Sequence, residues 1–169
     1  MNLLGAILLI SGGLAAGIMK ARALTDTDRT YSAMIHVLGF IKSEISSRKA
    51  PLDDILLRLK TNCPRQISLF VSRLSDGLLK LDEQTFCTVW TSSAEDCLQS
   101  LSPQSVAAVA ALGSSLGRYD ADMQCAALER CMAELLSARD EMRTRLSANK
   151  RMYIGLGGAG GLILAIVLI

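Results

Sequence analysis

The sequence predicts an all-α protein, a small six-helix bundle with a transmembrane helix at each end. The 18 basic and 16 acidic side chains all lie between Lys20 and Arg151, which leaves an uncharged apolar segment at each terminus. Between these segments, apolar residues recur at spacings of three and four, as on one face of a helix. β-branched residues are scarce there and no long linker occurs, so we expect a single helical domain.

The two apolar end segments have the length of short membrane helices. Residues 2–19 (NLLGAILLISGGLAAGIM) and residues 152–169 (MYIGLGGAGGLILAIVLI) contain 18 residues each. At about 1.5 Å per residue, each helix would cover roughly 27 Å, close to a hydrocarbon core of about 30 Å. Two other interpretations stay open. The first segment could be a cleaved signal peptide, although no basic residue precedes it, and the second could be a buried core helix.

Glycines in both end segments indicate helix packing. Gly13 and Gly17 form a G-x-x-x-G pair in the first segment, and Gly157 and Gly161 form another in the second. This spacing places small residues on one helix face and lets two backbones approach closely. Glycine is also common in membrane helices without any such role. The sequence leaves open whether the segments pair within one molecule or between copies in a homo-oligomer.

Basic residues flank the end segments on their inner sides. Lys20 and Arg22 follow the first segment, and Lys150 and Arg151 immediately precede the second, whereas the outer ends carry no charged side chain. The positive-inside rule therefore places the domain, residues 20–151, in the cytoplasm of a multi-pass membrane protein. The inverted topology would translocate the whole charged domain, and the flanks at both ends disfavour it.

Caps and prolines indicate the first three helices of the domain. Thr25 or Thr27 can cap a helix that runs to about Ser47. Pro51 suits the first turn of a second helix, which ends before Pro64. A third helix follows from about residue 65. All three carry apolar residues at helical spacing.

The last three helices have similar signals. Asp82 can cap the fourth, and Ser102, which proline follows, can cap the fifth. The fifth helix is expected to run to about residue 116, with Gly117 as its left-handed C-terminal residue. Asp120 or Asp122 can cap a long sixth helix. We expect the sixth helix to continue into the C-terminal apolar segment.

The composition argues against several classes of function. The five cysteines include no C-x-x-C pair, so reduced thiols are expected rather than a disulfide framework. The only histidine, His36, is far from any cysteine cluster, and no zinc site, serine triad or cysteine dyad is indicated. No phosphate-binding loop occurs, and a net charge of +2 with 4% aromatic residues is unlike a nucleic-acid surface. We therefore expect a non-enzymatic protein without metal or cofactor.

Several short motifs, taken in their order and spacing, resemble one protein family. The motifs are Leu3-Leu4-Gly5-Ala6, Glu44-Ile45, Pro51-Leu52, Trp90, Leu112-Gly113-x-x-Leu116-Gly117-x-x-Asp120-x-x-x-Gln124, and Leu156-Gly157. Over essentially its whole length, the chain resembles the stage III sporulation protein AB family of endospore-forming bacteria. One departure is Ser46-Ser47, where the family pattern suggests tyrosine and glycine.

The resemblance implies a scaffold in a membrane complex. Members of this family belong to the secretion-like channel that joins mother cell and forespore, so the expected location is the mother-cell membrane around the forespore. The helical domain is similar to the cytoplasmic domains of F-type inner-membrane platform proteins of type II secretion and type IV pilus systems. Such platforms contact a cytoplasmic secretion-type ATPase. The expected partners are that ATPase, the other membrane components of the sporulation channel and the lipid bilayer.

Within that role, two connections are candidates for partner contact, because loops between rigid helices often carry binding residues. They are the turn at Pro51-Leu52 and the connection Gly117–Gln124. The candidate contact residues are Glu44, Pro51, Leu52, Arg118, Asp120 and Gln124. Each also has a structural interpretation, such as Glu44 pairing within the bundle or Asp120 capping a helix.

Two other functions remain as alternatives. An F-type platform of a type II secretion or type IV pilus system usually has two copies of the helical domain and more membrane spans than this sequence predicts. A membrane-bound enzyme that uses Glu44, Asp120 or Asp122 would need a polar pocket and a cofactor or base, and the sequence indicates neither.

Overall fold

The computed structural model describes the backbone of residues 2–48, 50–78, 85–117 and 120–168, and the side chains of residues 25–48, 50–78, 85–117 and 120–145. The described residues form six α-helices: α1 (Asn2–Arg48), α2 (Leu52–Thr61), α3 (Ser68–Leu78), α4 (Phe86–Cys97), α5 (Pro103–Ala111) and α6 (Ala121–Leu168). Short 3₁₀ turns, Arg65–Ile67 and Leu112–Ser114, precede α3 and follow α5. No strand occurs among the described residues, and the all-α prediction is confirmed.

Two long helices and four short ones build the bundle. α1 lies along α6, α3 packs between α2 and α4, and α4 also packs against α5. Met34, Leu38 and Ile41 of α1 and Leu128 and Leu135 of α6 are each 0% exposed. Because these residues recur at helical spacings, the core follows the amphipathic pattern of the sequence.

α1 continues through the point where the sequence suggested a cap. The helix spans Asn2–Arg48, so the prediction that Thr25 or Thr27 begins a new helix is wrong. No glycine or proline occurs between residues 18 and 38 to interrupt it. The hydroxyls of Thr30 and Ser32 donate to the carbonyl oxygens four residues earlier, at 2.9 and 2.8 Å, as hydroxyls do inside a helix.

α6 has the continuity that the sequence predicts. It spans Ala121–Leu168, so the last helix of the domain does continue into the C-terminal segment. In the part of the chain that the structure describes in full, no helix has a stretch long and apolar enough to cross a membrane. The two segments predicted as spans, residues 2–19 and 152–169, lie outside that part.

The caps of α4 and α5 differ in how well the sequence predicts them. Thr85, not Asp82, caps α4, and its hydroxyl oxygen accepts the Thr88 backbone N–H at 3.4 Å. Asp82 itself lies outside the described residues. Ser102 caps α5 as predicted, since its hydroxyl oxygen accepts the Ser105 backbone N–H at 3.2 Å and a proline follows it.

Trp90 of α4 is the centre of the packing among the short helices. Its side chain is 0% exposed, and its ring packs edge to face against Phe70 with centroids 5.3 Å apart. Phe86 packs against the same ring at 5.7 Å. The indole N–H donates to the Val109 carbonyl oxygen at 2.7 Å, which satisfies the buried donor and joins α4 to α5.

α5 ends earlier than the sequence predicts and continues as a 3₁₀ turn. The α-helix ends at Ala111 and a 3₁₀ turn follows, so the prediction of a helix to about residue 116 is wrong. In that turn, Gly113 lies directly against Trp90, and a Cβ on Gly113 would stand 2.9 Å from Trp90 Cδ1. The left-handed conformation predicted for Gly117 is confirmed, with φ of 74°.

Candidate functional site

Two segments that are far apart in sequence meet at one cleft. The turn into α2 and the connection from α5 to α6 line a volume of about 320 Å³, at the lower end of the range for ligand pockets. The lining residues are Ile45, Ala50, Pro51, Leu52, Gly117, Ala121 and Gln124. The cleft therefore brings together three of the six predicted contact residues, namely Pro51, Leu52 and Gln124.

The start of α2 forms one wall of the cleft. Pro51 is the residue before the helix, with φ of −65° and ψ of 150°, and its carbonyl oxygen accepts the Ile55 backbone N–H at 3.3 Å. Ile55 and Leu59 point into the core and are buried. Their burial fixes the rotation of α2 about its axis, and Leu52 is left partly exposed at the cleft.

The turn between α5 and α6 forms the opposite wall. Gly117 adopts a left-handed conformation, and its backbone N–H donates to Gln124 Oε1 at 3.2 Å. The Asp120 carboxylate accepts the Met123 backbone N–H at 3.0 Å and so caps α6. Asp120 thus has the capping role that the sequence allowed, and Gln124 holds the turn at Gly117. Asp120 is nevertheless exposed beside the cleft.

Glu44 lies close to the cleft without lining it. Its side chain is only 11% exposed, and Glu44 Oε2 lies 3.2 Å from Arg58 Nη1 and 3.5 Å from Arg48 Nη1. This pairing joins the end of α1 to α2 and supports the wall that carries Leu52. The remaining predicted residues, Arg118 and the glycines at 13, 17, 157 and 161, lie outside the residues whose side chains are described.

The chemistry of the cleft suits protein contact. Its walls are largely aliphatic, with the Gln124 amide as the polar side chain. Sequence reasoning missed Ile45, Ala50 and Ala121 as lining residues; their signal was nearness to the two predicted turns, and Ile45 also stands in the Glu44-Ile45 motif. Among the described residues, no three His, Cys, Asp or Glu side chains lie close enough to hold a metal ion. A small apolar cleft between two helix starts resembles the pockets that receive anchor side chains at protein interfaces.

A second polar feature lies near the middle of the two long helices, on the side of the apolar end segments. Asp28 of α1 receives hydrogen bonds from two arginines of α6: Arg143 Nε and Nη2, at 2.7 and 2.8 Å, and Arg139 Nε, at 2.9 Å. We call these three residues the clamp. The arginines are spaced four apart on one face of α6, which was the only sequence signal for them. The clamp holds α1 and α6 side by side.

The clamp lowers the pKa of the Asp28 carboxyl from 3.8 to about 2, because the hydrogen bond from Arg143 and the contribution of Arg139 outweigh the opposing effect of burial. A pKa below the unfolded value stabilises the fold above about pH 4, and this stabilisation is lost as the pH falls toward 2. Because Arg143 is half exposed, we expect Asp28→Asn to reduce the free energy of unfolding by about 1–2 kcal/mol at pH 7.

The prediction is tested by urea unfolding of both proteins between pH 2 and pH 7, where the difference between them should disappear near pH 2. Asp26→Asn is a matched control on the same helix. Asp26 is 70% exposed and lies 3.6 Å from Arg29, so we expect a change of less than about 0.5 kcal/mol. Equal effects of the two substitutions would contradict a special role for Asp28.

Comparisons with known proteins agree with the helical architecture. The family model described as stage III sporulation protein AB matches residues 2–169. A solved structure of a stage III sporulation protein AB superposes with a TM-score of 0.64 at 18% sequence identity, covering 73% of this chain and 98% of that chain. That likeness shows the fold. A search of curated proteins found no significant match.

Proposed function

The chain belongs to the stage III sporulation protein AB family, and from this we propose that it is a non-enzymatic platform of the sporulation channel between mother cell and forespore. The observation that carries the proposal is that the α1–α6 pair has different features at its two ends within the domain, a cleft at one and an ion-pair clamp at the other. Ile45 and Gln124 line the cleft at one end. The clamp around Asp28 lies roughly 25 Å away along α1, toward the apolar end segments.

The membrane-anchoring part of the proposal rests on charge. Residues 2–19 and 152–169 contain no Lys, Arg, Asp or Glu, and basic residues stand just inside both segments. We propose that these segments are transmembrane helices and that the domain is cytoplasmic. A platform anchored in this way would lie in the mother-cell membrane around the forespore, with its cleft directed toward the cytoplasm.

The partner proposed for the cleft is a cytoplasmic secretion-type ATPase. The cleft is small and largely aliphatic, so it can receive one anchor side chain of a larger interface. Its walls are fixed by the Glu44–Arg58 ion pair and by the Gln124 hydrogen bond to Gly117. Preformed walls favour binding because little conformational entropy is lost when the partner binds.

Co-purification of the full-length protein from sporulating cells in mild detergent tests the proposal. We expect the wild-type protein to recover the ATPase and the ring-forming membrane components of the channel. Leu52→Arg places a charge in the apolar wall and should reduce ATPase recovery about ten-fold or more, the size expected for loss of an interface anchor. It should leave recovery of the membrane components unchanged.

Leu57→Arg is the matched control. Leu57 lies on the same helix, is 66% exposed and does not line the cleft, so its substitution should leave ATPase recovery unchanged. Loss of recovery with Leu57→Arg but not with Leu52→Arg would place the contact on another face. Absence of both the ATPase and the channel components with the wild-type protein would contradict the platform role itself.

A further inference from the structure

Contacts between α1 and α6 follow one constant register. The contact pairs are Asp28 with Arg139 and Arg143, Gly39 with Met132, Lys42 with Glu129, and the Lys42 carbonyl oxygen with Cys125 Sγ. In every pair, the two position numbers add up to about 170. The helices are therefore antiparallel, and their axial offset stays the same from the cleft to the clamp.

The same register matches the glycines of the two end segments. α1 and α6 are continuous helices over Asn2–Arg48 and Ala121–Leu168, so the offset can be extended along their axes. It brings Gly13 level with Gly157, because these numbers also add up to 170. It further brings Gly17 to within one residue of the level of Ile154, and Gly161 to within one residue of the level of Ile10, since each of these pairs adds up to 171.

The angular positions of the glycines around the helix axes also match the faces along which α1 and α6 are in contact. At about 100° per residue, Gly13 and Gly17 point within about 55° of the mean direction of the α1 residues that contact α6. Gly157 and Gly161 fall within about 40° of the mean direction of the α6 residues that contact α1. Both G-x-x-x-G pairs therefore lie on the faces along which the long helices already meet, at the height where they can meet each other.

We propose that the two apolar end segments pair within one molecule, as an antiparallel helical hairpin in which Gly13 lies next to Gly157. This inference rests on the membrane anchoring proposed above. Glycine faces let helix backbones approach closely. The clamp fixes the offset and rotation of both helices close to these segments. Asp28 lies about nine residues after the first segment ends, and Arg143 lies about nine residues before the second begins.

Disulfide cross-linking in native membranes tests this pairing. The five native cysteines are first replaced, four by serine and the buried Cys131 by alanine. The full-length Gly13→Cys/Gly157→Cys protein is then oxidised, labelled with a maleimide polymer and run on non-reducing gels. We expect a monomer whose thiols are protected from labelling.

The mismatched pair Leu4→Cys/Gly157→Cys is the control. Its positions are offset by nine residues, about 13 Å along the axis, whereas a disulfide needs Cα atoms about 4–7 Å apart. We expect at least about five-fold less protection than in the matched pair. Ile10→Cys/Gly161→Cys provides a second matched pair that leaves Gly13 and Gly157 intact, in case their substitution disturbs packing.

Each outcome has a distinct meaning when alkaline carbonate extraction is applied to the same membranes. Protein that stays in the membrane and forms covalent dimers from both matched pairs would overturn the intramolecular hairpin while leaving the anchoring intact. Equal protection of matched and mismatched pairs would also overturn it. Release of the protein by carbonate would contradict the membrane anchoring and the hairpin together.

Discussion

Trp90→Ala is expected to lower the free energy of unfolding of this protein by about 3–5 kcal/mol, the range for removal of a fully buried aromatic side chain. The indole is 0% exposed and packs against both Phe70 and Phe86. Its loss leaves a cavity among the short helices and removes the hydrogen-bond donor of the Val109 carbonyl oxygen. Trp90 is the only tryptophan, so the variant has no tryptophan fluorescence to report unfolding. Unfolding is therefore followed by far-ultraviolet circular dichroism of the full-length protein in detergent.

Trp90→Phe separates packing from hydrogen bonding. Phenylalanine keeps much of the apolar contact but cannot donate to Val109, so we expect a smaller loss, about 1–2 kcal/mol. If alanine and phenylalanine destabilised the protein equally, the hydrogen bond rather than the packed ring would carry most of the contribution. A loss below about 1 kcal/mol with alanine would contradict a central role for Trp90 in the core.

Gly113→Ala is expected to destabilise the protein by about 1–3 kcal/mol through overpacking. The added Cβ would stand 2.9 Å from Trp90 Cδ1 and 3.0 Å from Trp90 Cβ. The ring cannot move away easily, since Phe70 and Phe86 pack against it and its N–H is bonded. The measurement is the same unfolding experiment.

Two controls define the cause of that effect. At Gly39, inside α1, the nearest atom to an added Cβ is Met132 Sδ at 3.8 Å, so Gly39→Ala should be neutral or stabilise by about 0.5–1 kcal/mol. In a Trp90→Ala background, the contact with Cδ1 at 2.9 Å is gone and the contact with Cβ at 3.0 Å remains, so Gly113→Ala should cost less stability than in the wild-type protein. Strictly additive effects of the two substitutions would show that the strain does not arise between them.

The cleft and the clamp lie at opposite ends of the helical domain. The clamp lies where α1 and α6 approach the apolar end segments, and the cleft lies where the same helices are farthest from them. Under the proposed platform function, a movement of the ATPase bound at the cleft would be transmitted along α1 and α6, which keep one register. Ion pairs at both ends, at Asp28 and at Glu44, resist sliding of the helices against their neighbours.

Features that depend on neighbours in sequence could be predicted from the sequence. The helical class, the cap at Ser102, the left-handed Gly117 and the capping Asp120 all follow from local backbone and side-chain geometry. Cap residues alone did not predict where the first helix of the domain begins. Thr25 and Thr27 are good cap residues, yet no helix breaker accompanies them and α1 continues past both.

The sequence by itself determined the all-helical class and the separation of charged from apolar segments, because period, capping and charge are properties of short stretches of chain. Only the tertiary structure decided that Pro51 and Gln124 share a cleft, that Asp28 meets Arg143 and that Gly113 packs against Trp90. These contacts join residues from different helices. Their partners are set by the offset and rotation at which helices pack, and that geometry depends on the whole core at once.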